Sequence, residues 1–418
     1  MGRSRVTTTT FLAAAIISHH LAWAGSQQKP IGWDGCLPGP VSDGAHPSCV
    51  TASTSSTPAA QKTPEPDAGT FDPKKYQPWT HQPYCPEEGT PFCVHTSTRF
   101  RDHGISYIAV PEKKAAELGE KTASSSVAAE KKDAPYEVRD LPGKGKGVVA
   151  TKRIQRGTVL MVEHAAVIGD TLFPSRVKRA VGRHMLQRAM ARLGSKGEGA
   201  ILELARSSRD PEGVPAAEDL MKTNSFTVKI GGKSHMALFP RVSRINHACK
   251  PSAITRFDEQ SLSMTIRAVR NIEPGEEITL SYTDFGLSFH ERQQQLKAKW
   301  GFDCDCSICS LPPAEIAKSD ARREKIVAMG KTVIKYVGEQ DWKLAIKTHR
   351  EMIEVIEDEG LAPHMGDYYE VMTRLLAANK DMKNARKYAR LALEEFEVAG
   401  EPNEELEQFL KGAQQETA

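Results

Sequence analysis

The chain has 418 residues, enough for one sizeable core plus a second folded unit, because single cores stop growing near roughly 250–300 residues. Its 56 basic and 53 acidic residues nearly cancel, which excludes the broad positive field of a nucleic-acid binder. No apolar run beyond the first few residues approaches the roughly 20 needed to cross a bilayer, so no membrane partner is expected.

Residues 1–24 read as a secretory signal peptide. Arg3 and Arg5 precede the apolar run from Phe11 to Ile17, and Ala22-Trp23-Ala24 fits a small-x-small cleavage site. Residues 25–133 carry 13 of the 25 prolines together with Ser/Thr tracts such as Thr51–Thr57, and show little apolar periodicity. Such a segment buries too little to offset its chain entropy, and a largely extended leader is expected. It holds Cys36, Cys49, Cys85 and Cys93, which in an oxidising compartment would close two disulfide loops, most simply between sequence neighbours. Three pairings are open, and a small folded recognition module stays as the alternative.

From Tyr136 the texture changes to short β-branched runs, such as Val148-Val149 and the stretch from Thr158 to Val162, divided by Gly, Pro and charged turns. This predicts a strand-rich domain over 134–285. Inside it Val177, Val181, Met185 and Leu186 recur at helical spacing, which predicts a helical insertion over about 174–219. After Pro312-Pro313 the chain becomes a series of amphipathic helices. Trp342, Ala345, His349, Met352 and Ile356 share one face, as do Ala385, Tyr388, Ala389, Ala392, Leu393 and Phe396, so 313–418 is expected to be all-α and of tetratricopeptide-like character.

The remaining cysteines are Cys249 and the Cys-x-Cys-x-x-Cys run of Cys304, Cys306 and Cys309, within a segment placed at 286–312. Three thiolates leave a tetrahedral zinc one ligand short, and once the leader cysteines are set aside Cys249 is the remaining candidate. A structural zinc held by these four would clip the segment after Trp300 onto the turn that carries Cys249.

Several motifs then fall in the order found in SET domains, over roughly 175 residues, and they resemble the SMYD-like branch of that lysine methyltransferase family. Lys144-Gly145-Lys146-Gly147 resembles the family's glycine-rich loop, where backbone approaches S-adenosylmethionine. Asn224-Ser225-Phe226 is similar to an Asn-Ser-Phe run that contacts the same molecule. The segment Ser243-Arg244-Ile245-Asn246-His247-Ala248-Cys249-Lys250-Pro251-Ser252 resembles the Asn-His-Ser-Cys-x-Pro-Asn signature, with Ala248 for Ser and Ser252 for Asn. Each departure removes a hydrogen bond worth on the order of 1 kcal/mol. The run from Gly275-Glu276-Glu277 to Tyr282 resembles the strand that ends at the catalytic tyrosine.

The resemblance implies an α+β SET fold of small sheets with a threaded C-terminal segment and a post-SET zinc site. It assigns Tyr282 as the catalytic residue and Lys144, Gly145, Gly147, Asn224, Ser243, Ile245, Asn246, His247 and Phe302 to S-adenosylmethionine. Tyr282 and Trp300 would wall the substrate channel, and the acceptor would be a protein lysine, on a histone or another protein. The MYND zinc module of that branch is missing, so partner recognition is expected to be arranged differently, through the C-terminal helices. The alternative function is a SET-shaped scaffold without catalysis. Localisation is divided: the signal peptide directs the chain to the secretory pathway, whereas S-adenosylmethionine is used mostly in the nucleus and cytoplasm.

Overall fold

The computed structural model describes residues 77–86, 90–109, 133–207 and 216–415. The signal peptide, Cys36, Cys49 and most of the leader lie outside the described residues, and with them the expectation about compartment.

The end of the leader departs from the sequence reading. Cys93–Ser97 (β1) and Ile105–Ala109 (β2) are buried antiparallel strands, and β2 lies parallel to Val167–Asp170 (β6). Composition averaged over 25–133 hides this stretch, in which Phe92, Val94, Ile105, Tyr107 and Ile108 supply enough apolar surface to join the core. Cys85 and Cys93 form a disulfide between sequence neighbours, closing the loop that leads into β1.

Among the described residues, three small sheets make up the β part. The first has the order β1-β2-β6-β8-β7, with β7 at Ser225–Ile230 and β8 at Lys233–Leu238. The second, β10-β11-β5, joins Ala253–Asp258, Ser263–Ala268 and Val159–His164. The third, β3-β4-β12-β9, joins Tyr136–Leu141, Gly145–Ala150, Glu277–Leu280 and the two-residue strand Asn246–His247. Their inner faces share one core that includes Val148, Phe226, Phe239, Ile245, Ile266 and Leu280. Four helices, Phe173–Arg176 (α1), Arg179–Ala191 (α2), Gly194–Leu202 (α3) and Ala216–Asn224 (α4), cover the first sheet through Met185, Leu186, Ala189 and Leu220.

Phe289–Trp300 (α5) starts with a capping box between Ser288 and Glu291 and stops at Gly301, whose φ of 79° is left-handed. The chain then turns through the cysteine run into five helices: Pro313–Gly338 (α6), Trp342–Glu359 (α7), Met365–Ala378 (α8), Met382–Ala399 (α9) and Glu404–Gln415 (α10). Helices α7 and α9 repeat one design. Each follows a positive-φ residue (Gln340, Lys380), is N-capped by an aspartate (Asp341, Asp381) and ends at a left-handed glycine (Gly360, Gly400).

Charged groups tie the C-terminal helices to the β part and to α5. Arg256 meets Glu401 at 2.9 Å, Arg156 pairs with Glu395, and Asp320 of α6 accepts the Phe289 N–H at 2.8 Å. A node built on buried Glu359 and Arg323 adds to this. Glu359 at the end of α7 accepts hydrogen bonds from Ser319 at 2.5 Å, Arg322 at 2.8 Å and Arg323 at 2.8 Å. Arg323 in turn donates to the carbonyl oxygens of Phe285 at 2.8 Å and Cys249 at 3.3 Å. A charge pair this deep persists because its donors and acceptors satisfy one another.

Candidate active site and metal centre

The site forms where β9 runs parallel to β12, with Asn246 opposite Thr279 and His247 opposite Leu280. This pairing brings two distant motifs, the Asn-His turn and the strand before Tyr282, side by side. Tyr282 donates its hydroxyl to the carbonyl of Ile245 at 2.6 Å, and its backbone N–H donates to Nδ1 of His247 at 2.9 Å. The second bond fixes Nδ1 as acceptor and leaves the ring proton on Nε2, which faces the Cys249 sulfur at 3.4 Å. Packing around the Tyr282 phenol, with a smaller contribution from Glu277, pushes its pKa well above the ordinary value. The hydroxyl therefore stays protonated. Its hydrogen is committed to Ile245, and its oxygen remains an acceptor.

Two cavities meet at this tyrosine. The larger, about 240 Å³, is lined by Lys144, Gly145, Asn224, Ser243, Asn246, His247, Tyr282, Trp300 and Phe302 among others. The smaller, about 120 Å³, opens on the other side between β10 and the turn at Pro363 and His364. Phe226 and Tyr282 line both. Burial holds His364 down to about 4, so the smaller cavity presents an uncharged ring there at neutral pH.

Within the larger cavity the sequence-assigned residues divide by what their polar atoms do. Asn246 donates to Glu277 at 2.9 Å and to the Lys146 carbonyl at 3.3 Å. The amide of Asn224 is turned to the carbonyls of Ala205 and Leu220, and the Ser243 hydroxyl donates to the Asn224 carbonyl. These two shape the wall through its backbone. Trp300 donates its indole N–H to the Thr223 carbonyl at 3.0 Å, and its ring sits 5.0 Å from that of Tyr282. It lines the larger cavity; the smaller one lacks it. Gly147 and Ile245 do not line the cavity but build it. A Cβ at Gly147 would lie 2.9 Å from the Asn246 amide nitrogen, and Ile245 supplies the carbonyl that holds Tyr282.

Lys144 is held above its ordinary pKa, its burial outweighed by Asp305 and Glu277, at 3.0 and 3.6 Å. Asp305 lies between Cys304 and Cys306, so this ion pair joins the glycine loop to the cysteine run across the cavity mouth. Neither acid was singled out by sequence. Glu277 is one of two adjacent glutamates, and which of the pair turns inward depends on strand register.

The four cysteines converge. The sulfurs of Cys249, Cys304, Cys306 and Cys309 all lie within 4.8 Å of one another, and none is in a disulfide. A tetrahedral zinc with Zn–S near 2.3 Å needs sulfurs separated by roughly 3.8 Å. Thiols this close cannot all ionise unaided: contact with Cys249 pushes Cys304 far up and holds Cys306 far down. A divalent cation removes that conflict, so the donor set fits a structural zinc. Gln293 of α5 steadies the run, donating to the Cys304 carbonyl and accepting its N–H, both at 2.7 Å.

Of the two signature departures, Ser252 is compensated. It is wholly buried, its hydroxyl accepts the Thr279 N–H at 2.9 Å, and its own N–H donates to the Thr279 carbonyl at 3.2 Å. Ala248 keeps its strand-like bond to the Leu280 carbonyl at 2.9 Å, which needs no hydroxyl.

Comparison with known proteins agrees with this geometry. The SET domain family matches residues 145–283. The chain is 29% identical over 201 residues to the Schizosaccharomyces pombe protein named histone-lysine N-methyltransferase set5, covering 48% of this chain and 58% of that one. It is 36% identical over 109 residues to human histone-lysine N-methyltransferase SMYD3, covering 24% of this chain and 25% of the relative. Against human N-lysine methyltransferase SMYD2 it is 33% identical over 102 residues, covering 24% and 23%. The matched stretch thus spans a quarter to somewhat over half of these relatives. The strand before Tyr282 lies beside the Asn-His turn with a four-cysteine cluster closing the junction, and residues 145–283 carry a SET domain, in a chain similar to proteins of the Set5 and SMYD kind.

Proposed function

We propose that the chain is a protein-lysine N-methyltransferase that uses S-adenosylmethionine as methyl donor and holds a structural zinc on Cys249, Cys304, Cys306 and Cys309. What carries the reading is that two cavities meet at one tyrosine whose hydroxyl hydrogen is already committed. The larger cavity combines a lysine cation, aromatic rings and carbonyl-lined walls, the chemistry a zwitterionic nucleoside requires. The smaller one, about 120 Å³, has Phe226, Pro251, Met264 and uncharged His364 at its walls and suits an aliphatic lysine stem.

S-adenosylmethionine supplies an electrophilic methyl on a positive sulfonium. The acceptor nitrogen must arrive with its lone pair free, and a free lysine with a pKa near 10.4 is almost wholly protonated at neutral pH. Both the apolar walls and the nearby positive charge disfavour the ammonium form, which lowers that pKa in the needed direction. Tyr282 then accepts an N–H from the neutral amine, since its own hydrogen is given to Ile245. The bound donor would supply the methyl group, its sulfur keeping the C–S electron pair, while Tyr282 and the cavity walls would hold the amine lone pair in line with that methyl; the product ammonium would give its proton to water. Alignment of the two reactants supplies most of the rate, an effect that reaches roughly 7–11 kcal/mol in well-ordered cases.

The test is transfer of labelled methyl groups to proteins of a mixed extract, with titration of the donor in parallel. Tyr282→Phe should keep donor affinity within about threefold and lower turnover by about 10²-fold or more. A wild-type chain that binds no donor would remove the methyltransferase reading, and unchanged turnover in Tyr282→Phe would remove that residue from it.

A further inference from the structure

Beside the cysteine cluster lies a charge that the reaction does not use. Arg292, in the first turns of α5, is fully buried, which for a guanidinium demands compensation. Its Nη1 donates to the Leu287 carbonyl at 2.5 Å and reaches Asp320 at 3.4 Å. Asp320 is already engaged by the Phe289 N–H through both carboxylate oxygens, at 2.8 and 2.9 Å. The Nε and Nη2 groups of Arg292 are buried without a hydrogen-bond partner. Leu296, one turn further along the same face of α5, packs against Cys249, Cys304 and Cys306, and the neighbouring Gln293 bonds Cys304 in both directions, so this stretch of the helix lies on the cysteine cluster. Arg292 lines neither cavity.

A zinc ion with four thiolates carries a net charge of −2, and Cys249, Cys304 and Cys306 are each less than a tenth exposed. Water can screen little of that charge, so a fixed cation alongside is worth far more than at a surface. We propose that Arg292 is the built-in counter-charge of the four-cysteine centre, a positioning residue that sets how tightly the cluster holds its metal. The proposal rests on the zinc reading given above and adds to it a residue that is not a ligand. Partners of this outer kind commonly alter metal affinity by 10–100-fold.

The experiment uses the full chain as wild type, Arg292→Gln, which keeps a donor and loses the charge, and Arg292→Lys, which keeps the charge and loses the planar fork. Zinc affinity is measured by competition with a chromogenic chelator. Cobalt(II) is then substituted and its thiolate-to-cobalt absorption recorded, a readout that a packing role would not move. Arg292→Gln should lower zinc affinity by about 10–100-fold and shift the cobalt bands, while Arg292→Lys stays within about threefold of wild type. Equal zinc affinity in wild type and Arg292→Gln overturns the proposal. So does a loss in Arg292→Lys as large as in Arg292→Gln, because shape and not charge would then be what matters. Should Arg292→Gln fold poorly, refolding is followed against zinc concentration: a midpoint raised about 10–100-fold supports the assignment, and failure at every zinc concentration assigns Arg292 to packing and overturns it. A wild-type chain that takes up no zinc sinks the zinc reading and this proposal together, a result distinct from wild type binding zinc with Arg292→Gln unchanged.

Discussion

Glu359 offers a severe test of how the helices and the site are joined. It is 3% exposed and accepts from Ser319, Arg322 and Arg323, and Arg323 is itself 1% exposed. Replacing Glu359 by Leu leaves the Arg323 guanidinium buried with only the Phe285 and Cys249 carbonyls, a loss expected to cost about 3–5 kcal/mol. Arg322 adds little, since its side chain is 37% exposed and solvent screens the pair. The double variant Arg323→Met/Glu359→Leu removes both charges. Relative to Glu359→Leu it removes the uncompensated buried charge and forfeits only the two carbonyl contacts, at roughly 1 kcal/mol each, so it should be more stable than Glu359→Leu alone by about 2 kcal/mol. Urea unfolding followed by far-ultraviolet circular dichroism measures all the variants. Because Arg323 touches the Cys249 carbonyl, Glu359→Leu should also weaken donor binding at the Asn246–His247 turn. A cost below about 1 kcal/mol for Glu359→Leu, or a double variant as unstable as the sum of the two singles, would refute the argument.

Three further outcomes are expected. Cys249→Ser should leave the chain with well under one zinc and a protease-sensitive segment after Trp300, as read by metal analysis and limited proteolysis; full occupancy would exclude Cys249 as a ligand. Gly147→Ala should displace the Asn246 amide, whose nitrogen would lie 2.9 Å from the new Cβ, and weaken donor affinity about tenfold, roughly 1.4 kcal/mol, measured by calorimetry. Burial pushes Glu163 from 4.5 up to about 7 against the N–H groups of Arg241 and Val242, so its protonated form is the one the fold prefers. Its contribution to stability is complete below pH 4.5 and lost as pH rises through about 7, on the order of 2–3 kcal/mol. Thermal melts of Glu163→Gln against wild type across that window should show a flatter pH profile in the variant; parallel profiles would contradict this.

Much of the candidate site's layout was legible in the sequence because its residues fall in short motifs that resemble those of SET domains. Asn246-His247, Tyr282 and the three clustered cysteines are each recognisable within a few residues, and elimination among eight cysteines points to Cys249. The α+β class and the C-terminal helices follow from apolar spacing in the same way. What sequence could not supply are pairings set by register and docking. The parallel match of β9 with β12 decides that Tyr282 is oriented by His247 and Ile245. It also decides that Glu277, and not Glu276, meets Asn246, because neighbouring residues of a strand face opposite ways. The burial of β1 and β2, the Arg323–Glu359 node and Arg292 beside the sulfurs are long-range outcomes. A charged residue in a helix reads as a solvated face until the fold shows that it has been taken inside. Local spacing determines which elements form and which residues carry chemistry; only packing of those elements decides which charges lose their water and must therefore find each other.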